Sequence, residues 1–571
     1  MCGVNGIYNF SVNEQRSTDL KSLEAMNLEM QYRGPDGQGF WQDDRVSMSM
    51  VRLSIIGLED GQQPFHFEEK KLTWICNGEI YNYLELKDLL EAKGYKFKTH
   101  SDCEVIAYLY DLHGEDFVDY LEGMFAIILW DGLKEELFVV RDRVGLKPLY
   151  YSVFSDKIVI SSELKTIQKV FKIKNNYDYK IINDIANNSY PIDRKKTINK
   201  EILRVEPGQF LKVTGSKVEK KTYWQLPQER TVFSSQEEID KQVLQYLEQA
   251  IEKRLRSDVP VAIMLSGGVD SSAIACIAQK FTHEVNVISV GYEGDHDCDE
   301  RNQAKRLSDE KGFKWHEVTL GEFDYEKAFE DYLNYLDEPI GDVAAIANWA
   351  LYKKIRELGF KVVLNGTGGD ELFFGYEPHN KAAEAYEFIN KLIMRIKGKG
   401  LKRLCLEGPW FLKNSKKILH NLRNYRNIYN FEAHALSEKK FDGELNSVGS
   451  FSQYYARDRR DIDNFYHRLF NVWLPNNCLF LADKLGMGNS VEVRCPFTDH
   501  TLIDYVFSVD LDLIYTGEAK AALKRVLRGT VPSYILDAPK RGFTPPEEFI
   551  SLLSKTEKYQ VKVLKEFVQY D

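Results

Sequence analysis

The chain has no apolar run long enough to cross a bilayer, which takes about 18 or more consecutive apolar residues. Its opening, MCGVNGIYNF, has neither the basic nor the apolar region of a secretory signal. It has no excess of positive charge: 76 Lys and Arg against 86 Asp and Glu leave a net charge of −10. That excludes a general nucleic-acid binder, whose footprint is basic. No two of its eight cysteines sit at the close spacing of a zinc knuckle or a redox CxxC motif. Without an export signal a disulfide framework is not expected either, so most of the cysteines read as small buried hydrophobes. No internal repeat is visible. What remains is an ordinary globular composition, 43% hydrophobic and 28% charged over 571 residues. It suits two large units or about three to four smaller ones. These absences together point to the cytoplasm.

Two halves differ in pattern. Residues 1–165 alternate short strand-like runs (VSMSMVRLSII, KKLTWICNGEIYN, MFAIILW, ELFVVRDR, KIVISSE) with Gly and Asp-Gly turns. Helical segments interrupt near 17–30, 82–93 and 102–113. This predicts stacked sheets flanked by helices. A hairpin over 208–225 closes the unit, and 226–236 reads as a polar linker. From 237 the pattern turns helical in EEIDKQVLQYLEQAIEKRLRS. Three buried strands follow, in VPVAIMLSGG, EVNVISVGY and KVVLNGTGG, with helices between them. That alternation predicts a parallel α/β sheet.

Two loops of that sheet carry chemistry. SGGVDSS, Ser266 to Ser272, follows a strand and opens a helix. Its adjacent glycines let the backbone curl around an anion, and the serine hydroxyls and helix N–H groups can donate to it. It lacks the lysine of a P-loop. It is similar to the pyrophosphate-loop signature of enzymes that split ATP into AMP and pyrophosphate. Asp270 is a natural Mg²⁺ ligand there. Asn365-Gly366-Thr367-Gly368-Gly369-Asp370-Glu371 ends another strand, so Asp370 can share that ion with Asp270.

Cys2 follows the initiator Met. Removal of Met1 would make Cys2 the free amino terminus. Its α-amino group, of pKa about 7.7–8.0, can then act as base for its own thiol. Cys2-Gly3-Val4, Arg33-Gly34-Pro35-Asp36, Arg52-Leu53-Ser54, Asn77-Gly78-Glu79-Ile80-Tyr81-Asn82, Ser101-Asp102, Arg141-Asp142-Arg143 and Ser161-Ser162-Glu163-Leu164-Lys165 occur in order. Val491-Glu492-Val493-Arg494-Cys495-Pro496-Phe497 and Pro539-Lys540-Arg541-Gly542-Phe543 follow near the end. The whole chain resembles the glutamine-hydrolysing asparagine synthetase family. The resemblance implies an α+β N-terminal-nucleophile hydrolase domain over 1–225, with stacked antiparallel sheets between helices. An α/β parallel-sheet synthetase domain of ATP-pyrophosphatase type, with helical additions, would follow over 237–571.

The resemblance also implies roles. Cys2 would attack the glutamine side-chain amide. The Asn77 side chain and the Gly78 N–H would form the oxyanion hole. Arg52 would pair with the glutamine carboxylate, and Glu79 and Asp102 would bind its amino group. Ammonia would pass through the interior to a substrate carboxylate activated as an acyl-adenylate. Leu265, Val290 and Gly366 would contact adenosine. Ser266, Gly267, Gly268, Asp270, Ser271, Ser272 and Asn365 would line the ATP and pyrophosphate site, with Lys520 and Lys540 as cationic partners. Asp270 and Asp370 would hold Mg²⁺. A homodimer is left open.

This sequence departs from the family in places. Thr367 stands at a catalytic position usually held by an acid, and threonine is no base near neutral pH. Asn365 stands where Ser is usual, Asp483-Lys484 replaces the commoner Asp-Arg, and Gly486 replaces a Ser. Residues 391–430 hold eleven Lys and Arg against one acid, Glu407, within a basic helical insertion over 391–450. That stretch reads either as a solvated helical face or as a docking surface for an anionic acceptor or a membrane surface. Two acceptors follow: aspartate, or another carboxylate such as a uronic-acid sugar or a peptide. A ring-closing synthetase fits poorly, because the terminal Cys and the glutamine-binding residues are all present. A non-enzymatic sensor is opposed by the intact SGGVDSS and GGDE.

Overall fold

The computed structural model describes residues 2–12, 16–294, 296, 299–377, 380, 381, 384, 459–539, 545–553, 563, 565 and 567. The insertion expected over 391–450, its basic stretch and Lys540 lie outside the described residues.

The first half is built from twelve strands. They are β1 Cys2–Asn9, β2 Gly37–Gln42, β3 Val46–Arg52, β4 Phe65–Phe67, β5 Leu72–Ile80, β6 Gly123–Asp131, β7 Glu136–Arg141, β8 Tyr150–Val153, β9 Lys157–Ser161, β10 Leu203–Arg204, β11 Gln209–Thr214 and β12 Lys217–Thr222. Two six-stranded antiparallel sheets result, ordered β10-β8-β9-β1-β3-β2 and β12-β11-β7-β6-β5-β4. The period-2 pattern of β6 explains the layering. Ala126, Ile128 and Trp130 enter the core between the sheets, beside Val4, Tyr8 and Ile75. Phe125, Ile127 and Leu129 face outward, onto Val105, Ile106 and Leu109 of helix Val105–His113. The other sheet does the same with Ile7, which meets Leu23 and Met26 of helix Arg16–Glu29. The central strands of each sheet are thus buried on both faces, in the stacked, helix-flanked arrangement that the sequence predicted.

The second half holds a five-stranded sheet: β13 Val261–Met264, β14 Asn286–Tyr292, β15 Lys314–Leu320, β16 Val362–Leu364 and β17 Glu492–Arg494. All its pairings are parallel, in the order β15-β14-β13-β16-β17. Helix Gln236–Arg254 enters it, capped by a reciprocal box between Ser235 and Glu238, with Ile239, Val243, Leu247 and Ile251 on its buried stripe. Two strands were not foreseen. β15 is polar, KWHEVTL, because it lies on the edge, and β17 is three residues long. The chain leaves β13 in one direction along the sheet and returns to β16 on the other side. The loops after β13 and β16 are therefore neighbours, and a cleft opens where the strand order reverses.

The expected linker is tied down. Leu226 is buried, Arg230 pairs with Asp463 at 2.6 Å, and the N–H groups of Thr231 and Val232 donate to the Ser508 carbonyl at 2.7 and 2.8 Å. Its polar side chains hid that docking. No helix among the described residues is long and apolar enough to cross a membrane.

Gly78 sits where β5 and β6 approach most closely. Its φ is +154°, and a Cβ there would lie 2.0 Å from the Met124 carbonyl oxygen. Gly78→Ala should therefore cost about 3 kcal/mol or more of stability, from overpacking and backbone strain together. Urea unfolding of the variant checks this, and an unchanged midpoint would contradict the packing described.

Candidate active site

The register of the first sheet assembles one pocket. Cys2 pairs directly with Arg52 across β1 and β3. The Cys2 N–H donates to Asn77 Oδ1 at 3.0 Å, which ties β1 to the opposite sheet. Arg52 is fixed by the carbonyls of Ile56 and Gly57, at 3.1 and 2.6 Å. Glu79 is two residues beyond Asn77, hence on the same face of β5. Asp102 accepts the Ile80 N–H at 2.7 Å. Cys2, Arg52, Asn77, Glu79 and Asp102 thus converge as the motifs predicted, and Gly78 adjoins them on β5.

The electrostatics of this pocket favour a cationic guest. Burial, then Glu492 and Asp102, push the Glu79 carboxyl well above the usual range against the pull of Arg494. Burial likewise raises Asp102. Glu79 Oε2 is buried and has no hydrogen-bond donor among the described residues. An ammonium group placed there would supply the donor and the charge together. Burial also raises the Cys2 thiol, against the pull of Arg52, so a nearby base is needed to make it a nucleophile.

Motif reasoning assigned nothing to the residues behind this pocket. Ser162 Oγ accepts the Val4 N–H at 3.0 Å and the Asn77 Nδ2 group at 3.4 Å. Arg494 Nη2 lies 3.5 Å from Glu79 Oε2 while Nε bonds Glu492 at 2.5 Å. The Arg494 carbonyl accepts the Asn365 N–H at 3.0 Å. A single strand residue therefore touches both the Cys2 pocket and the loop after β16. Both motifs were visible in the sequence, but only the fold brings them together.

The second constellation lines a cleft of about 1270 Å³. Leu265, Ser266, Gly267, Gly268, Asp270 and Ser271 form one wall; Val290, Asn365, Gly366, Thr367, Asp370 and Lys520 complete it. Ser272 is the exception: it is fully buried in helix Val269–Ala278 and does not reach the cleft. The Ser266 and Ser271 hydroxyls meet at 3.1 Å, and Ser266 Oγ accepts the Gly268 N–H at 3.3 Å, which holds the loop curled. Asn365 Oδ1 takes the Thr367 N–H and the Cys495 thiol, both at 3.2 Å, which shapes the second loop.

Lys520 bridges the two aspartates. Its ammonium pairs with Asp270 and with Asp370, the latter at 2.7 Å. Burial opposes that charge, but the two carboxylates outweigh it and hold Lys520 above the usual lysine value. The carboxylates thus already converge on one positive charge, and this donor set fits a divalent cation shared with phosphate oxygens.

Asp483-Lys484 and Gly486 belong elsewhere. Both charged side chains face away from the cleft, into a buried cluster with Arg33 and Glu163. A Cβ on Gly486 would sit 2.7 Å from the Val491 carbonyl oxygen, so packing requires glycine here. Neither substitution bears on acceptor choice.

Comparison with known proteins agrees with this geometry. Residues 1–224 match the glutamine amidotransferase domain, and residues 242–558 match asparagine synthase. The chain belongs to the asparagine synthase family. It is 30% identical over 558 residues to the glutamine-hydrolysing asparagine synthetase 1 of Bacillus subtilis, covering 96% of this chain and 87% of that protein. It is also 30% identical over 608 residues to the amidase chyE of Penicillium rubens, covering 96% and 89%. Among solved structures it matches the glutamine phosphoribosylpyrophosphate amidotransferase of Bacillus subtilis at 17% identity and TM-score 0.30, over 55% of this chain and 65% of that one. Family membership carries the coarse chemistry: a carbon–nitrogen ligase that takes nitrogen from glutamine and uses ATP.

Lys520→Met should remove the positive charge that Asp270 and Asp370 share, a loss of about 3 kcal/mol. Thermal melts should show Mg²⁺ restoring more stability to this variant than to the wild type. Equal Mg²⁺ responses would mean that the two carboxylates do not share a cation site.

Proposed function

We propose that the protein amidates the side-chain carboxylate of an amino acid, aspartate first, using ammonia released from glutamine at Cys2. One observation carries the choice of acceptor. Among the described residues, the cleft is lined by nine carboxylates and two lysines, and one of those lysines, Lys524, is paired with Glu518 at 2.8 Å. ATP brings further negative charge. Such a cleft favours an acceptor that carries an ammonium group and disfavours one that adds only anions.

In the first step the α-amino group of Cys2, freed by removal of Met1 and oriented by Asn77 Oδ1, takes the thiol proton. The thiolate attacks the glutamine amide carbon, while the Asn77 side chain and the Gly78 N–H face the developing oxyanion. Such donors are worth about 3 kcal/mol each. Arg52 pairs with the glutamine carboxylate, and Glu79 and Asp102 receive its ammonium. The α-ammonium then protonates the amide nitrogen as its C–N bond breaks, so that it leaves as ammonia, and water hydrolyses the thioester to glutamate and the free thiol. In the cleft, Leu265, Val290 and Gly366 hold adenosine, and the Ser266–Ser271 loop with Lys520 holds pyrophosphate. The acceptor carboxylate attacks the α-phosphorus, and ammonia displaces AMP. Asp270 and Asp370 would hold Mg²⁺, whose charge would neutralise the phosphates. The cytoplasm, which supplies ATP and keeps Cys2 reduced, is the compartment that suits this chemistry.

A second reading, a carboxylate acceptor other than aspartate such as a uronic-acid sugar or a peptide, is favoured by Thr367. Within the same cleft, however, Glu371 is a buried carboxylate, held by Tyr376 at 2.6 Å and Trp473 at 3.2 Å.

AMP formation with ATP, Mg²⁺ and glutamine, with and without aspartate, separates the two readings. Aspartate-dependent AMP with matching asparagine is expected; glutaminase activity without it would move the search to other acids. Cys2→Ala should abolish glutamine use and spare ammonia-dependent synthesis, and loss of both activities would refute separate sites. The pH profile follows from Glu79. Burial and the neighbouring carboxylates favour the protonated form of Glu79, whereas a bound glutamine ammonium would favour its carboxylate. KM for glutamine should therefore rise as pH falls, beginning at a higher pH than an ordinary carboxyl would give, and Glu79→Gln should flatten that rise. A KM for glutamine independent of pH in the wild type would remove Glu79 from the pocket.

A further inference from the structure

Cys495 is a buried thiol that the chemistry described so far does not use. It follows the last residue of β17 and packs behind the loop after β16. Its S–H donates to Asn365 Oδ1 at 3.2 Å. The same Oδ1 takes the Thr367 N–H, also at 3.2 Å. Asn365 is itself anchored, because its N–H reaches the Arg494 carbonyl at 3.0 Å. The Thr367 hydroxyl stands against the Cys495 sulfur from the other side. Burial pushes the thiol up to about 12, and Thr367 pulls it the other way, as a donor to sulfur does. The thiol therefore keeps its proton, which is committed to Asn365, and its sulfur is left to accept from Thr367. Hydrogen bonds run in one direction, from threonine to cysteine to asparagine.

Thr367 lines the cleft. Gly366, just before it, lies so close to the pyrophosphate loop that a Cβ there would come within 2.8 Å of Asp270 Cβ. Thr367 thus stands between the phosphate-binding loop and the strand that carries Arg494. With its O–H spent on the sulfur, it offers the cleft an acceptor and no donor.

We infer that the Thr367 oxygen, held as an acceptor by Cys495 and Asn365, receives an N–H of the ammonia that attacks the activated carboxylate. Thr367 is then a catalytic residue, and Cys495 and Asn365 are positioning residues. The inference rests on the amidation proposed above. An N–H given to Thr367 turns the nitrogen lone pair toward the acyl carbon. The C–N bond forms, the bond from that carbon to the AMP oxygen breaks, and the surplus proton on nitrogen leaves with the AMP phosphate. Threonine takes no proton at any point. An acceptor-only position also repels carboxylate and phosphate oxygens, so it stays open for a donor such as ammonia. Asn365 and Thr367, the two departures in this loop, act as one unit with Cys495.

The test uses the full chain with Mg²⁺, aspartate as the probe acceptor, and ammonium chloride in place of glutamine, so Cys2 takes no part. Enzyme in excess over ATP is quenched in acid. AMP then counts adenylate and product together, and asparagine counts product alone. Thr367→Val should keep the rate of AMP appearance within about twofold and lower the rate of asparagine formation about fivefold or more, as expected for one lost hydrogen bond to the nucleophile. Cys495→Ala should show the same split in smaller measure. Cys495→Ser, whose hydroxyl donates and accepts as the thiol does, should restore it. Asparagine rates equal to the wild type's in Thr367→Val or in Cys495→Ala overturn the inference. A parallel fall of AMP and asparagine overturns it too, since it would place these residues in nucleotide binding or folding. If Thr367→Val does not fold, Thr367→Ala is read by the same outcomes. A wild type that forms no AMP with aspartate defeats the aspartate reading itself, and the inference with it.

Discussion

Arg494 is a permanent positive charge with no access to solvent, and both halves of the molecule are arranged around it. An unpaired guanidinium in that position would cost more than the whole stability margin of a domain. Its Nε and Nη1 donors are instead met by fixed groups, and Nη2 faces Glu79 at 3.5 Å. Glu492 and Glu79 supply negative charge, and the carbonyls of Arg254 and Arg256 accept Nη1 at 2.8 and 2.6 Å. Those carbonyls belong to the end of helix Gln236–Arg254, where the chain has no further turn to satisfy them. The partners therefore come from β17, from β5 of the other half, and from a helix terminus. Satisfying one side chain sets the distance between the constellation around Cys2 and the loop after β16.

That constraint also explains how Glu79 differs from Glu492. The two carboxylates share one guanidinium. Glu492 has the hydrogen bond and stays below the usual range, once burial is offset by Arg494. Glu79 has only the longer contact and is pushed up. The second half of the molecule thus pushes the two carboxyls in opposite directions, Glu79 up and Glu492 down. A pocket built from the first half alone would have different acid–base behaviour, even with every motif residue in place.

Much of this was legible in the sequence, and the rest was not for physical reasons. The apolar run MFAIILW read as a strand, and helix Gln236–Arg254 followed from the helical spacing of its apolar residues. Cys2, Arg52, Asn77, Glu79 and Asp102 were found because each belongs to a short local motif. β15 escaped because an edge strand carries polar residues, and β17 because three residues show no period. Ser272 was placed in the cleft because a motif fixes spacing but not which side of the first helical turn faces the ligand. Arg33, Glu163, Asp337 and Lys484 lie up to hundreds of residues apart and have no local signature of their pairing. Lys484 looked like drift or a changed acceptor, since a residue that acts at an interface between halves carries no sign of it in its neighbours.

The cluster around Lys484 and Arg33 is poorly explained as a source of stability. Well-packed apolar side chains in the same volume are often as stable as a buried ion network, or more so. What apolar contacts lack is direction: leucines can slide past one another by a fraction of an ångström at little cost, whereas Asp483 and Arg33 cannot. A ligase that takes nitrogen from glutamine in one half and uses ATP in the other needs the two halves held in one geometry relative to each other. Charged groups at the interface between the halves, with Arg494 on one side and the Lys484 cluster on the other, meet that requirement. Hydrophobic packing elsewhere in the interface, such as Leu53, Ile55 and Tyr81 against the second half, supplies adhesion without fixing the register.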